Sequence, residues 1–304
     1  MSIVVRGVTK FYGDQKALDN VSFQVKTGEI VAFLGPNGAG KSTMMKIITG
    51  YIPASSGSVI VNGIETSADN LDIRKKIGYL PENNPLYPEM YVREYLKFAA
   101  SLYKTGKSVG KKIDHIIEVT GLVPEQKKKI GLLSKGFRQR VGLAQALIHD
   151  PDVLILDEAT TGLDPNQVVE IRNLIRETGR EKTVMLSTHI MQEAEAVCDR
   201  IIIIDKGVIV ADEKKDDIYS KIRVPRQVIR VEFDRDPGES ALLTIPGVII
   251  TRQIKKYLWL IEAEGKEDIR PAIFSFAVKN NHTVLSLQKE ESSLEEVFRH
   301  LTSG

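Results

Sequence analysis

Gly35-Pro36-Asn37-Gly38-Ala39-Gly40-Lys41-Ser42-Thr43 sets the fold class of this chain. It fills every position of the pattern G-x-x-x-x-G-K-[ST], in which glycines let consecutive backbone N–H groups turn inward around phosphates. Lys41 then supplies a point charge to the outer phosphates, and the Ser42 hydroxyl is placed to ligate Mg²⁺. The flanks agree with this reading. Residues 29–34 form an apolar run of strand length, and 42–49 have a helical pattern. A strand, a glycine-rich turn and a helix N-terminus together make an anion site, so a nucleoside triphosphate is expected here, with all nine residues as candidate contacts.

Working outward, Val153-Leu154-Ile155-Leu156-Asp157-Glu158 is a second buried-strand run, ending in two adjacent carboxylates. Asp157 would sit beside the metal, and Glu158 would project past it to position or deprotonate an attacking water. Further apolar runs at 183–187 and 200–205, separated by helical patterns at 166–178 and 190–198, indicate a parallel sheet flanked by helices. Short strands over 3–8, 20–25 and 57–61 make an antiparallel wing beside the 29–34 strand. From Tyr87 to Gln145 apolar residues recur every three or four positions, which predicts an inserted helical subdomain over about 85–145. This insert holds twelve Lys/Arg against five Asp/Glu, and Lys127-Lys128-Lys129 reads as a solvated face.

The fold class expected is therefore α/β: a P-loop core with an antiparallel β wing and a helical insert over 1–217, then a small α+β domain over 218–304. The charged run 212–217 is expected to lead into a helix, with a change of composition near Pro225. Beyond it, strand 227–233, helix 239–244, strands 248–254 and 257–263, helix 268–279 and strand 284–288 follow the β-α-β-β-α-β order of ferredoxin-like domains. A last helix is expected over 293–301.

Bulk composition narrows the class. Lys plus Arg number 42 against 40 Asp plus Glu, a net +2 that gives no reason to expect nucleic acid. The one cysteine, Cys198, permits no internal disulfide and suits packing in a reducing compartment. No apolar run approaches bilayer length, and 1–6 reads as a strand, without the apolar core of a signal peptide. A cytoplasmic protein is expected, meeting a membrane only through a partner.

Between the two strong motifs lies Leu133-Ser134-Lys135-Gly136-Phe137-Arg138-Gln139, and here the chain resembles the ATP-binding subunits of ABC transporters. Leu133, Ser134 and Gly136 match that family's signature segment, whereas Lys135 and Phe137 depart from it. Ser134 and Gly136 at a helix start form a second phosphate site, so one chain holds two half-sites. The resemblance implies a homodimer in which the signature of each copy covers the γ-phosphate of ATP held by the other. It also implies that Tyr12 stacks on adenine, that 162–165 contacts the partner copy, and that His189 contacts the γ-phosphate and the attacking water. Glu82 stands where the family usually has a glutamine that contacts Mg²⁺ and leads into a transporter-facing loop, and Ala159 replaces a common proline. A carboxylate still suits magnesium. Glu82, the tail and the 293–298 segment resemble the ABC-2 export type, and 44–53 resembles the gliding-motility-associated subunits within it.

The resemblance thus implies an ATPase, peripheral on the inner face of the cell membrane, that drives an integral permease subunit of the ABC-2 type. A soluble regulatory ATPase, signalling ATP occupancy through its C-terminal domain, is the other reading, and the altered signature is its support. A ribosome- or DNA-directed ATPase is a third, set against one P-loop and no sustained heptads.

Overall fold

The computed structural model describes residues 1–67, 70–103, 109–221, 226–265 and 267–290, which divide into two compact units, Met1–Lys215 and Asp216–Gly304. The first unit opens with β1 (Ile3–Tyr12) and β2 (Gln15–Val25), followed by β3 (Ile30–Leu34), α1 (Lys41–Ile48), β4 (Ser56–Val61), β5 (Ile64–Glu65) and α2 (Leu71–Arg74). Next come β6 (Ile77–Leu80), α3 (Val92–Ser101), α4 (Val109–Val119) and α5 (Lys135–Leu147). The unit closes with β7 (Val153–Asp157), α6 (Pro165–Gly179), β8 (Thr183–Thr188), α7 (Met191–Val197), β9 (Arg200–Asp205) and β10 (Val208–Lys214).

Two sheets result. The wing has the order β2-β1-β4-β5 and is antiparallel throughout. The central sheet has the order β10-β9-β3-β8-β7-β6, parallel except for β10 at one edge. Every residue of β3, β7 and β8 is buried, because helices or the wing cover both faces. One apolar core joins wing and central sheet around α1, through Val5, Phe33, Met44 and Ile155. A second core holds the helical insert together, through Leu96 on α3, Ile117 on α4 and Val141 on α5.

Two elements differ from expectation. β6 is a central-sheet strand that a four-residue run with Gly78 inside does not announce, and glycine is required there since a Cβ would lie 2.3 Å from the Ala146 carbonyl oxygen. The charged run 212–217 does not go straight into a helix: Asp212, Glu213 and Lys214 extend the edge strand β10, where Asp212 takes both Nε and a terminal nitrogen of Arg200 at 2.6 and 2.5 Å. A 3-10 turn, Lys215–Lys221, follows. Cys198 is buried, as packing requires, at the C-terminal cap of α7 and not within it, and burial pushes its thiol up.

The second unit contains β11 (Arg226–Phe233), α8 (Glu239–Leu242), β12 (Val248–Lys255), β13 (Leu258–Glu264), α9 (Arg270–Lys279) and β14 (Val284–Glu290). Its antiparallel sheet has the order β12-β13-β11-β14, which is the ferredoxin-like 4-1-3-2 arrangement read from the other edge. Ile229, Val231, Phe233, Trp259 and Ile261 pack with Ile273 of α9 into its own core. The helix expected over 293–301 and the residue Pro225 lie outside the described residues.

Candidate active site

The chain leaves β3 at Gly35, whose N–H donates to the Thr188 carbonyl at 3.3 Å. A Cβ at Gly35 would stand 2.4 Å from the Ile204 carbonyl oxygen, so glycine alone fits between loop and neighbouring strand. Gly38 and Gly40 have φ of +83° and +105°, in the left-handed region. No side chain caps the first turn of α1, which leaves its N–H groups and dipole for an anion. Lys41 is 5% exposed and its Nζ donates to the Gly35 and Pro36 carbonyls at 2.9 and 3.2 Å. A triphosphate fits this cradle: the donors, the cation and the glycine conformations are all in place.

The parallel order places the C-terminal ends of β3, β8 and β7 side by side, the edge at which open α/β sheets bind ligands. Asp157 ends β7, 1% exposed, and its Oδ1 accepts from Ser42 Oγ at 3.1 Å and from Ser187 Oγ at the end of β8. Burial raises the Asp157 carboxyl, and these two hydroxyls draw it back. Glu158 then turns off the strand at φ +52°, a conformation that costs a non-glycine residue on the order of 1–3 kcal/mol. Its N–H donates to the Ser187 carbonyl at 3.2 Å. The Glu158 carboxylate, 7% exposed, lies 3.4 Å from Lys41 Nζ through Oε1, while Oε2 meets His189 Nδ1 at 2.8 Å and Thr161 Oγ1 at 3.0 Å.

A cleft of about 660 Å³ gathers most of these groups: Lys41, Ser42, Glu158 and His189 line it with Tyr12 and Glu82. Tyr12 ends β1 and is 49% exposed, with Lys10 Nζ 5.4 Å from its ring centroid. Ser134 and Gly136 are not among the residues lining the cleft. Ser134 caps α5 instead, accepting from the Phe137 N–H at 3.3 Å, and Gly136 lies under Gln167 of α6, where a Cβ would be 2.4 Å from Oε1. The Lys135 side chain runs across Gly162, and Asp164 caps α6 through the Gln167 N–H at 3.0 Å. The Ser134 end of α5 and residues 162–164 therefore form one surface, separate from the cleft. Ser187 and Thr161 join the site with no motif to announce them, although Ser187 stands two residues before His189 at a strand end, the position its role requires.

Residues 18–161 match the ABC transporter family, and 221–302 match the ATP-binding protein DrrA1-3-like, C-terminal domain. The chain is 34% identical over 303 residues to the linearmycin resistance ATP-binding protein LnrL of Bacillus subtilis, covering 97% of this chain and 96% of that one. It is an ATP-binding subunit of the ABC transporter family. The subunit is also 32% identical to the bacitracin transport ATP-binding protein BcrA of Bacillus licheniformis, over 100% of its own length and 99% of the relative's. With the Nod factor export ATP-binding protein I of Rhizobium sp. it shares 33% identity, over 99% and 97%. Among solved structures, a dimeric post-hydrolysis state of the ATP-binding cassette MJ0796 bound to ADP and Pi has a TM-score of 0.65 and 30% identity, covering 70% of the subunit and 98% of that chain. ATP is the nucleotide and its hydrolysis the activity of this family. The names of these relatives concern resistance, transport and export, and lend no support to the gliding-motility likeness.

Proposed function

We propose that this subunit is the ATP-hydrolysing motor of an ABC-2 type exporter, working as a homodimer on the inner face of a membrane. The observation that carries it is the Glu158 carboxylate, buried and held between Lys41 and His189 at the mouth of a complete P-loop. Lys41 and the first-turn N–H groups of α1 bind the phosphates, and Tyr12 offers an exposed ring to the adenine. Glu158 accepts a proton from the attacking water, and His189 orients that water and the terminal phosphate. Ser42, Asp157 and Glu82 would hold Mg²⁺, which when bound neutralises charge on the phosphate oxygens. Among the described residues no three His, Cys, Asp or Glu gather into a metal cluster. That suits magnesium, which takes one or two carboxylates and fills its shell with phosphate and water.

The exposed Ser134 end of α5 supports a site completed by a second copy, since it presents a helix start and its dipole away from its own cleft. Tyr87 on the loop after Glu82 and Phe98 on α3, 53% and 42% exposed with ring centroids 5.9 Å apart, put aromatic surface where a permease helix would dock. Among the described residues no helix is long and apolar enough to cross a membrane, and the passage itself is assigned to that permease. The DrrA-like tail supports the ABC-2 export type.

Glu158→Gln tests the reading. ATP binding should persist, turnover should fall about 100-fold or more for loss of a general base, and a dimer should accumulate with ATP in sedimentation. Turnover at the parent rate would sink the role given to Glu158.

A further inference from the structure

Glu193 is a buried carboxylate that none of the roles above uses. It sits in the first turn of α7, 5% exposed, and no cation pairs with it among the described residues. Two hydroxyls hold it instead: Thr160 Oγ1 donates to Oε1, and Thr188 Oγ1 donates to Oε2 at 2.7 Å. Both threonines are buried, at 5% and 0% exposure. A carboxylate removed from water costs several kcal/mol unless its oxygens are satisfied, so a site that keeps one supplies those donors and is disturbed by losing either.

The positions of the two donors give this cluster its meaning. Thr160 stands two residues after Glu158 and opens the turn to Leu163, whose N–H bonds the Thr160 carbonyl at 3.2 Å. Thr188 is the last residue of β8, directly before His189, and its carbonyl accepts the Gly35 N–H at the start of the P-loop. Its Oγ1 also accepts the Ile190 N–H at 3.0 Å, which fixes the backbone on the far side of His189. One carboxylate therefore ties the turn that follows the general base to the strand end that carries the histidine. Those two side chains meet 2.8 Å apart.

We propose that Glu193 is a positioning residue for ATP hydrolysis: bridging Thr160 and Thr188, it holds Glu158 and His189 in register at the phosphate end of the cleft. The proposal rests on the roles given to Glu158 and His189 above. A carboxylate accepts from both hydroxyls at once, whereas a methionine thioether of similar length offers them only one weak acceptor. Glu193→Met thus breaks both arms of the bridge while keeping the length of the side chain. Thr160→Val removes the hydroxyl of one arm with almost no change of volume.

The test is steady-state ATPase kinetics on the full chain with fluorescent-ATP binding, for Glu193→Met, Thr160→Val, the double variant and Glu158→Gln. Each single variant should lower kcat about tenfold to a hundredfold, as small misplacements of catalytic groups do, with KM and nucleotide affinity within about twofold of parent. The double variant should be no worse than the poorer single one, because both break the same bridge. Singles with parent kcat, or a double variant that multiplies two losses, would overturn the proposal while an inactive Glu158→Gln leaves the underlying reading standing. A fully active Glu158→Gln would overturn both.

Discussion

At the scale of single residues, the glycines of the P-loop differ in what a side chain would meet. A Cβ at Gly40 would stand 2.6 Å from the Ala17 carbonyl oxygen, with φ already at +105°, whereas a Cβ at Gly38 would meet nothing within 4 Å. Gly38→Ala therefore carries only the left-handed backbone penalty, about 1 kcal/mol. Gly40→Ala adds displacement of the β2 backbone, and nucleotide affinity should drop at least tenfold further, read by titration with fluorescent ATP. Equal losses in the two variants would show that the contact with Ala17 is immaterial. The pattern of residues 35–43 made these glycines legible, since each type in it answers to a phosphate. Ser187 and Glu193 carry no such pattern. Their partners are brought to them by the alignment of β7 and β8 and by the fold-back of α7, contacts between residues some thirty positions apart or across a turn.

At the scale of elements, β3, β7 and β8 could be read as uninterrupted apolar runs because both of their faces are buried. β6 and β10 could not, for opposite reasons: β6 is short and needs Gly78 to pass α5, while β10 is an edge strand that carries charge to solvent. The junction of α5 with β6 also contains His149, whose Nε2–H donates to the Ile77 carbonyl at 3.2 Å while its ring stacks on Tyr103 at 3.9 Å. Burial lowers this histidine from 6.5 to about 4. Folding then favours the neutral ring: no proton is taken up on unfolding above pH 6.5, but one is taken up between pH 6.5 and 4, so stability falls as pH falls through that window. The loss should reach on the order of 2–3 kcal/mol near pH 4. His149→Gln, which cannot titrate, should show a shallower decline of Tm between pH 6.5 and 4.5 than the parent. Parallel Tm curves would mean that His149 is not held neutral.

At the scale of the whole molecule, each unit has its own core, and the chemistry proposed lies in Met1–Lys215. Within that unit the cleft with Lys41 and Glu158 and the surface with Ser134 are separate, and the proposed second copy would bring one to the other. The pairing can be tested by complementation. A chain carrying Glu158→Gln keeps its Ser134 surface but spoils its cleft, and a chain carrying Ser134→Arg does the reverse while binding nucleotide nearly as well as the parent. In a head-to-tail pair made of one of each, one site receives both lesions and the other receives none. Random pairing of equal amounts makes half of the dimers mixed, so about a quarter of all sites should be intact. ATPase activity on mixing should then rise well above the sum of the two separate variants, toward that fraction of the parent rate. If mixed dimers form by sedimentation and no activity returns, the two clefts do not work as independent shared sites, and Ser134 loses its place opposite the phosphate.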